Sequence, residues 1–251
     1  MIRWRFLDTG ARSGKFNMDL DLQLAQELYE GRHGPTLRLY QWEPYCISLG
    51  KHQKNNNINA KKCEEDGIDI VWRPTGGRAV LHAEELTYSL VLPLELGADY
   101  VSSRISRALV KAMTLLGVEA AIETHPANLK SWYLQPTSTL CFSSSTRNEL
   151  QVSGRKLIGS AQRILDGVIL QHGSILIGPS HMRIVEYLNL DPSTKEDMAT
   201  ILRDKTTCLS EWGVSDLSAI KSAVRGAFED IFGVTTRDAG KDVGALNRIT
   251  E

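Results

Sequence analysis

Apolar residues recur at four-residue steps near the start of the chain. Leu20, Leu24 and Leu28 stand on one side of the segment MDLDLQLAQELYEG, because a step of four residues is close to one α-helical turn. Asn17 precedes the segment as a candidate N-cap, and Gly31 follows it as a residue that can end a helix. The pattern predicts a first core helix over these residues.

Strand-like patterns follow the first helix. The segments TLRLYQW and YCISLG alternate or run apolar on either side of Glu43 and Pro44, and two such runs around a turn are typical of a β-hairpin. Residues 58–66 then have the pattern of a short helix, and IDIVWR has that of a further strand. The sequence therefore predicts a hairpin, a short helix and a strand in this order.

The remainder of the chain changes from strands to helices. AVLH and LTYSLVLPL have strand patterns, whereas residues 101–116 place apolar side chains on one helix face before Gly117. From Ser180 the pattern turns helical, most clearly in SDLSAIKSAVRGAFEDIFG. Further strands are predicted at 118–122, 147–152 and 167–177.

The order of these elements indicates the fold class. Strands come first and most helices later, without regular strand–helix alternation, which favours an α+β fold over a doubly wound parallel sheet. The 251 residues are ample for a hydrophobic core, and no linker-like or repetitive segment divides them. We expect a single domain over residues 1–251, with the polar tail from about residue 237 loosely ordered.

Composition narrows the class of protein. The chain has 29 Lys and Arg residues against 30 Asp and Glu residues, and this balance argues against a nucleic-acid partner. It begins without a signal-peptide pattern and has no long apolar stretch, so we expect no membrane partner. Its four cysteines stand far apart, without a C-x-x-C pair or a histidine cluster. These features predict a cytoplasmic protein without a metal site.

The segment RPTGGRAVLH sets two adjacent glycines between two arginines. Gly76 and Gly77 can simply form a turn, because glycine reaches backbone angles that other residues avoid. Alternatively, the missing side chains let a ligand lie against the backbone, where N–H groups meet a carbonyl or phosphate and Arg73 or Arg78 supplies positive charge. His82 closes the segment as a further polar candidate. Spacing alone leaves both interpretations open.

The segment LCFSSSTRNELQVSGRKLIGSAQ carries a lone cysteine and a lysine. Taken singly, Cys141 is more typical of a buried small apolar residue, and Lys156 of a solvated strand edge. However, Gly159 and Ser160 form a small-residue break soon after Lys156, as the paired glycines do after Arg73. The repeated pattern makes Cys141 and Lys156 candidates for a functional site.

The segment GVILQHGSILI carries polar residues in the middle of an apolar strand. Such groups must find partners or face a site, and for His172 alone a satisfied core histidine is the simpler interpretation. Three segments each combine a small-residue break with a polar group inside an apolar strand. Together they favour a shared cleft.

Two short motifs resemble known sites but lack their partners. HAEE has the H-x-E spacing of zinc deaminases, yet no P-C-x-x-C follows it. GRKLIGS is similar to a phosphate loop, but Ser160 stands where lysine should follow the second glycine. Neither site is therefore expected.

Taken in order, RPTGGRAVLH, ELTYS, CF, GRKLIGSAQ and LQHGSI resemble the lipoate-protein ligase and octanoyltransferase family, which is related in fold to biotin-protein ligases. The resemblance covers roughly residues 17–190, and the CF pair is similar to cysteine-dependent octanoyltransferases in particular. It implies a class II biotin/lipoate-protein ligase-like fold, with a central mixed β-sheet flanked by helices. It also implies an acyl tunnel walled by Gly76, Gly77 and the strand before Lys156.

The resemblance further implies a reaction in two transfers and without a cofactor. Cys141 would take an octanoyl group from octanoyl-acyl carrier protein as a thioester and pass it to one lysine of a lipoyl domain or glycine-cleavage H protein. Lys156 would lie beside the thioester carbonyl, and the N–H groups of Gly76 and Gly77 could reach the same oxygen. His82 or His172 could accept the proton of the incoming lysine.

Three alternatives stay open. In an ATP-dependent lipoate or octanoate ligase, Lys156 would hold an acyl-adenylate and Cys141 would be structural. An amidotransferase would move octanoate from H protein to other lipoyl domains. A catalytically silent module would bind a lipoyl domain or a carrier protein without chemistry.

Overall fold

The computed structural model describes residues 2–54, 57–123 and 149–239, so Cys141 lies outside the described residues. The described strands are β1 (Ile2–Arg12), β2 (Thr36–Trp42), β3 (Cys46–Leu49), β4 (Asp69–Trp72), β5 (Val80–His82), β6 (Glu85–Pro93), β7 (Ala121–Ile122), β8 (Leu150–Val152), β9 (Arg155–Leu165), β10 (Val168–Leu176) and β11 (Val234–Asp238). The described α-helices are α1 (Gly14–Tyr29), α2 (Ala60–Glu65), α3 (Ala98–Leu115), α4 (Pro192–Lys205) and α5 (Leu217–Phe232). Short 3-10 helices lie at Leu94–Leu96, Pro179–Tyr187 and Leu209–Trp212.

The centre of the fold is a mixed sheet with the strand order β11-β1-β2-β6-β10-β9-β8-β7. Strand β1 pairs in parallel with β11 and β2, and the strands from β2 onward pair in antiparallel fashion. Strands β4, β3 and β5 form a second sheet of three strands. The predicted α+β fold, with a central mixed sheet flanked by helices, is confirmed.

Helix α1 begins earlier than predicted. Ser13 is its N-cap, and the Oγ atom of Ser13 accepts a hydrogen bond from the backbone N–H of Phe16. Asn17 lies inside the helix, where its buried amide donates to the carbonyl oxygens of Arg12 and Gln41. The prediction of Asn17 as N-cap was therefore wrong, because its side chain satisfies backbone groups of the sheet.

The predicted apolar row of α1 packs against the large sheet. Leu20 and Leu24 share one buried cluster with Leu7, Val91 and Leu170, which belong to β1, β6 and β10. Full burial of a leucine side chain contributes about 1.5–3 kcal/mol. The row therefore fixes α1 across this face of the sheet, as the sequence pattern predicts.

The predicted hairpin around Glu43 and Pro44 does not form. Strand β2 uses both of its edges in the large sheet, where it pairs with β1 and β6. Strand β3 instead pairs with β4 and β5 in the small sheet. The prediction was wrong because apolar alternation identifies a strand but not its partner.

Helices α3 and α5 cover the opposite face of the large sheet. The rings of Tyr88 on β6 and Phe228 on α5 lie 5.7 Å apart between their centroids. Helix α3 occupies Ala98–Leu115, close to the predicted 101–116. The cores on both faces therefore enclose the middle strands of the sheet.

Several boundaries differ from the sequence patterns. Strand β7 is shorter than the predicted 118–122, and β8 occupies the later part of the predicted 147–152, of which residues 147 and 148 lie outside the described residues. Strands β1 and β11, which pair in parallel, were not predicted as strands, and no bounds were predicted for β9. Strand β11 extends through Asp238, and the N–H of Ala239 donates to Phe6 at 2.9 Å. Ordered strand pairing thus reaches past residue 237.

Among the described residues, no helix is both long and apolar enough to span a bilayer. The same residues contain no group of three or more His, Cys, Asp or Glu side chains placed to hold a metal ion.

Candidate active site

A cavity with an empty volume of about 450 Å³, counted to its open mouth, is lined by residues of both sheets. The large sheet supplies residues from its four middle strands, and the small sheet and α1 supply the rest. The lining residues are Tyr40 and Trp42 of β2, Thr87 of β6, Gly159, Ser160 and Ala161 of β9, His172, Gly173 and Ser174 of β10, Ser48 of β3, Val80 and His82 of β5, Arg73 after β4, and Met18 of α1. The predicted shared cleft therefore includes five of the candidate residues: Arg73, His82, Gly159, Ser160 and His172.

Strand pairing brings these side chains to one wall. His172 and Ser174 point to the same side of β10, because side chains alternate along a strand. Antiparallel pairing sets Ala161 opposite His172 and Gly159 opposite Ser174. Thr87 of β6 lies opposite Ser174 from the other edge of β10. One face of three adjacent strands thus forms the floor of the cavity.

Where β10 pairs with β9 at Gly173, there is no room for a side chain. A Cβ atom on Gly173 would lie 2.7 Å from the carbonyl oxygen of Gly159, from Oγ of Ser160 and from Cε1 of Tyr88. The hydroxyls of Ser160 and Tyr88 lie 2.7 Å apart in a hydrogen bond. Burial raises the pKa of Tyr88 to about 12, against the hydrogen bonds with Ser160 and Gln171. Ser160 is therefore held by a protonated phenol.

His172 stands in the middle of a buried chain of hydrogen bonds. Its Nδ1 lies 3.1 Å from Oδ2 of Asp21, and its Nε2 lies 2.7 Å from Oγ1 of Thr75. Asp21 also accepts from Arg38 at 2.8 Å and from the hydroxyl of Tyr40 at 3.2 Å. This series of hydrogen bonds connects α1 with the segment that carries the paired glycines.

The protonation state of Asp21 determines which group donates in each of these hydrogen bonds. Burial raises the pKa of Asp21, but the hydrogen bond with His172 and the charge of Arg38 outweigh it, so the pKa lies below its ordinary value. An ionised carboxylate can only accept hydrogen bonds, so Nδ1 of His172 donates to it. In the neutral imidazole, Nε2 is then the acceptor, and the hydroxyl of Thr75 donates.

His82 occupies a second chain of the same kind. Its Nδ1 lies 2.9 Å from Oε1 of Glu85, and its Nε2 lies 2.7 Å from Oγ of Ser48. Trp42 stacks on the imidazole at 3.9 Å between ring centroids, with an interplanar angle of 11°. The indole N–H of Trp42 donates to Thr87 at 2.8 Å. Both histidines are thus held between a carboxylate and a hydroxyl.

Arg73 fixes the backbone around the paired glycines. Its guanidinium donates to the carbonyl oxygens of Gly76 at 2.9 Å and Arg78 at 2.7 Å, and to the carbonyl oxygen of Ser48 at 3.0 Å. Among the described residues, Gly76, Gly77 and Arg78 lie outside the lining of the cavity. Arg73 therefore holds the shape of the segment, and it also donates to Oγ of Ser48 at 3.1 Å.

Gly77 is required by the backbone of this segment. Its φ angle is 98°, a conformation that L side chains rarely adopt. Its carbonyl oxygen packs against Gly50 so closely that a Cβ atom on Gly50 would lie 2.0 Å from it. Gly76 is exposed, and a Cβ atom there would meet nothing within 4 Å. The turn interpretation therefore explains Gly77 without a ligand.

Lys156 lies near the beginning of β9, three residues before the cavity lining. Its side chain is buried, and its Nζ donates to Oε1 of Glu149 at 2.6 Å. The interpretation of Lys156 as a solvated edge residue is therefore wrong. Cys141, the second predicted catalytic residue, lies outside the described residues.

Sequence reasoning missed several polar residues of the site. Asp21 was not singled out, although an acidic residue on the apolar side of a core helix is a signal of a buried partner. Glu85 stands three residues after His82, and the zinc-deaminase spacing drew attention to Glu84 instead. Glu84 is exposed and accepts a hydrogen bond from the N–H of Ser180 at 3.1 Å. Glu149 had no local signal.

The arrangement suits an apolar ligand with one polar end. The polar groups in the walls bind one another, so they do not need hydrogen bonds from a ligand. The half-buried residues of the lining are those of β9, so the mouth lies beside that strand. An alkyl chain could enter there while its polar end stays near the beginning of β9.

Comparison with protein families gives one match over most of the chain. Residues 13–229 match the model of the lipoyl protein ligase A/B catalytic domain. A relative named octanoyltransferase LipM from Symbiobacterium thermophilum is 40% identical over 215 residues, which cover 83% of this chain and 78% of the relative. Another octanoyltransferase LipM, from Carboxydothermus hydrogenoformans, is 34% identical over 245 residues, which cover 93% of this chain and 88% of that relative.

Solved structures share the fold at low sequence identity. The bipartite lipoate protein ligase of Thermoplasma acidophilum, studied with its E2 lipoyl domain, superposes with a TM-score of 0.80 at 17% identity, over 99% of this chain and 91% of that chain. A lipoate-protein ligase A bound with ATP gives a TM-score of 0.75 at 18% identity, over 98% of this chain and 93% of that chain. At these identities the likeness shows the fold alone.

Proposed function

The chain belongs to the lipoyl protein ligase A/B catalytic-domain family and is an octanoyltransferase of lipoate biosynthesis, and from this premise we propose that it carries the octanoyl group on Cys141. The donor is octanoyl-acyl carrier protein. The acceptor is one lysine of a lipoyl domain or of glycine-cleavage H protein. The reaction proceeds without a cofactor in the cytoplasm.

The proposed reaction consists of two balanced transfers. The Cys141 thiolate attacks the carbonyl carbon of the donor thioester, a new C–S bond forms, and the carrier thiolate leaves and takes up a proton. The amine of the acceptor lysine then attacks the new thioester. An amide bond forms, the C–S bond to Cys141 breaks, and the thiol is restored with the proton that the amine releases.

The buried pair of Lys156 and Glu149 is the observation that carries this proposal. An ordinary thiol has a pKa of about 8.5 and is little ionised at neutral pH, so an attacking cysteine needs a neighbouring cation or base. Glu149 follows Cys141 by eight positions and holds the Lys156 ammonium at 2.6 Å. In our proposal that ammonium stabilises the thiolate and the charge that develops on the carbonyl oxygen.

The cavity supports the proposed acyl-binding role. Each methylene group that leaves water contributes about 0.8 kcal/mol, so an octanoyl tail gains several times this amount in the apolar part of the cavity. The mouth at Gly159, Ser160 and Ala161 lies three to five positions after Lys156 along β9. In our proposal the thioester carbonyl lies near the ammonium while the tail points inward.

The proton acceptor for the incoming lysine is His82 or His172. Both imidazoles line the cavity. The Nε2 atom of each imidazole lies 2.7 Å from a hydroxyl oxygen, Oγ of Ser48 for His82 and Oγ1 of Thr75 for His172. A proton from the amine would therefore reach either imidazole through its hydroxyl partner, which passes its own proton on.

The proposal is tested by intact-mass spectrometry. Wild-type protein mixed with octanoyl-acyl carrier protein, without ATP, should gain the mass of one octanoyl group, and peptide mapping should locate it on Cys141. Cys141→Ser and Cys141→Ala should fold but form no thioester. Label on another residue, or transfer without a labelled enzyme, would contradict covalent catalysis through Cys141.

The same assay separates the alternatives. Labelling by octanoyl-H protein in preference to the carrier protein would identify an amidotransferase. Pyrophosphate release from ATP and free octanoate would identify a ligase. Binding of carrier protein without any turnover would identify a silent binding module.

A further inference from the structure

We propose that Met18 and Trp42 close the inner end of the cavity and set the length of acyl chain that the enzyme transfers. The inference rests on the proposed function, in which the cavity holds the acyl tail. It assigns to Met18 of α1 a role in specificity for the length of the acyl chain.

The direction of the cavity follows from the strand order. The half-buried lining residues lie on β9, whereas the lining residues of β2 are buried. Strands β9, β10, β6 and β2 are consecutive neighbours. Since neighbouring strands lie about 4.8 Å apart, the cavity crosses roughly 14 Å from its mouth to β2. An acyl tail that enters at β9 therefore ends against Tyr40, Trp42 and Met18.

The space behind this end is filled. Met18, Tyr40, Trp42 and Cys46 form a separate buried cluster, with Val71 packed against it. Beyond the cluster, the backbone of α1 begins at Gly14. A Cβ atom on Gly14 would lie 2.5 Å from Sγ of Cys46 and 2.9 Å from Cγ1 of Val71. A longer tail has no room here unless a side chain of the cluster is shortened.

Met18 is the member of this end that can be shortened without breaking a polar contact. The hydroxyl of Tyr40 donates to Asp21, and the indole of Trp42 donates to Thr87. Truncation of either ring would remove one of these buried hydrogen bonds. A methionine side chain is unbranched and apolar, and it adapts to the space around it.

The test measures transfer from hexanoyl, octanoyl, decanoyl and dodecanoyl carrier proteins. In Met18→Ala, the ratio of kcat/KM for decanoyl to kcat/KM for octanoyl should rise about tenfold over wild type, because two further methylene groups become buried. Met18→Val should change the ratio in the same direction by a smaller factor. It also keeps the test decisive if the alanine variant folds poorly.

Met113→Ala is the matched control. Met113 is a buried methionine of α3 in the main core, outside the cavity lining, so its truncation loosens packing without lengthening the cavity. Its chain-length profile should equal that of wild type. If Met18→Ala and Met18→Val fold and keep the wild-type profile, or if Met113→Ala changes it equally, the inference is overturned. Failure of the proposed function would differ, because wild type would then transfer no acyl chain from any carrier protein, or would transfer it without a thioester on Cys141, whatever the chain-length profiles of the variants.

Discussion

The carboxylate of Asp21 lies 3.1 Å from Nδ1 of His172, although 151 positions separate the two residues in the chain. Both side chains are buried, and Arg38 completes the group with a hydrogen bond of 2.8 Å to the same carboxylate. Through Thr75 the contact continues into the glycine segment. These hydrogen bonds therefore fix helix α1 relative to the cavity wall at His172.

Asp21→Asn should destabilise the protein by about 3–5 kcal/mol, because it leaves the buried charge of Arg38 without a countercharge. Asp19→Asn on the same helix is the control. Asp19 pairs with Lys15 at the surface, and loss of an exposed pair changes stability by at most about 1 kcal/mol. Urea unfolding of both variants measures the difference. Equal midpoints would contradict a structural role for the Asp21 charge.

The Asp21 carboxylate should also make stability depend on pH. Its pKa in the folded protein lies below the ordinary value, since the hydrogen bond with His172 and the charge of Arg38 outweigh the effect of burial. The ionised group therefore stabilises the fold above the unfolded-state pKa of about 3.9, and this contribution is lost as the pH falls through the folded-state pKa. The free-energy difference between wild type and Asp21→Asn should be constant near neutral pH and shrink in acid. A difference that grows in acid would show the opposite shift.

The sequence predicted the elements whose signals are local. The apolar row of α1 and the alternation in β5, β6 and β10 identify these elements because each pattern needs no knowledge of its partner. His172 was a candidate because a polar group in the apolar core of a strand is unusual. Glycine breaks and strand-embedded polar groups together predicted a cleft that the structure contains.

Most of the missed features depend on distant partners. Strands β1 and β11 lie at opposite ends of the chain and are stabilised by their parallel pairing. Residues 43 and 44 separate strands of two different sheets, which alternation alone does not reveal. The role of Asp21 depends on its contact with His172, and that of Glu149 on its contact with Lys156. No local sequence pattern predicts either pair.

Gly77→Ala should cost about 1–3 kcal/mol of stability, because its φ of 98° is strained for any residue with a Cβ atom. Gly76→Ala is the neighbouring control: its Cβ atom would meet nothing within 4 Å, so stability should stay within about 0.5 kcal/mol. If the acyl head lies against this segment, as the family resemblance implies, Gly76→Ala should nevertheless lower kcat/KM. Thermal unfolding and octanoyl transfer measure the two effects. A stable Gly76→Ala variant with wild-type transfer would contradict contact with the acyl group.

Lys156→Met should lower the rate of thioester formation by about 10²–10³, the effect of removing one preorganised group that stabilises a developing oxyanion. It should also destabilise the fold, because Glu149 is buried beside it. The double variant Lys156→Met with Glu149→Gln should regain most of the stability but not the rate. Lys61→Met, at an exposed lysine of α2, controls for loss of charge. Recovery of both stability and rate in the double variant would reduce Lys156 to a structural role.

Alkylation of the native protein should distinguish Cys141 from the three other cysteines. Cys46, Cys63 and Cys208 are buried, and burial raises the pKa of the Cys46 and Cys63 thiols. Since the thiolate is the form that reacts, iodoacetamide at pH 7 should modify these three at least about tenfold more slowly than an activated Cys141. Prior incubation with octanoyl-acyl carrier protein should remove the fast phase, and Cys141→Ser should lack it. Peptide mapping with time assigns the phases. A fast phase at Cys46, Cys63 or Cys208, or one that octanoylation leaves intact, would show that the reactive thiol is not the one that carries the acyl group.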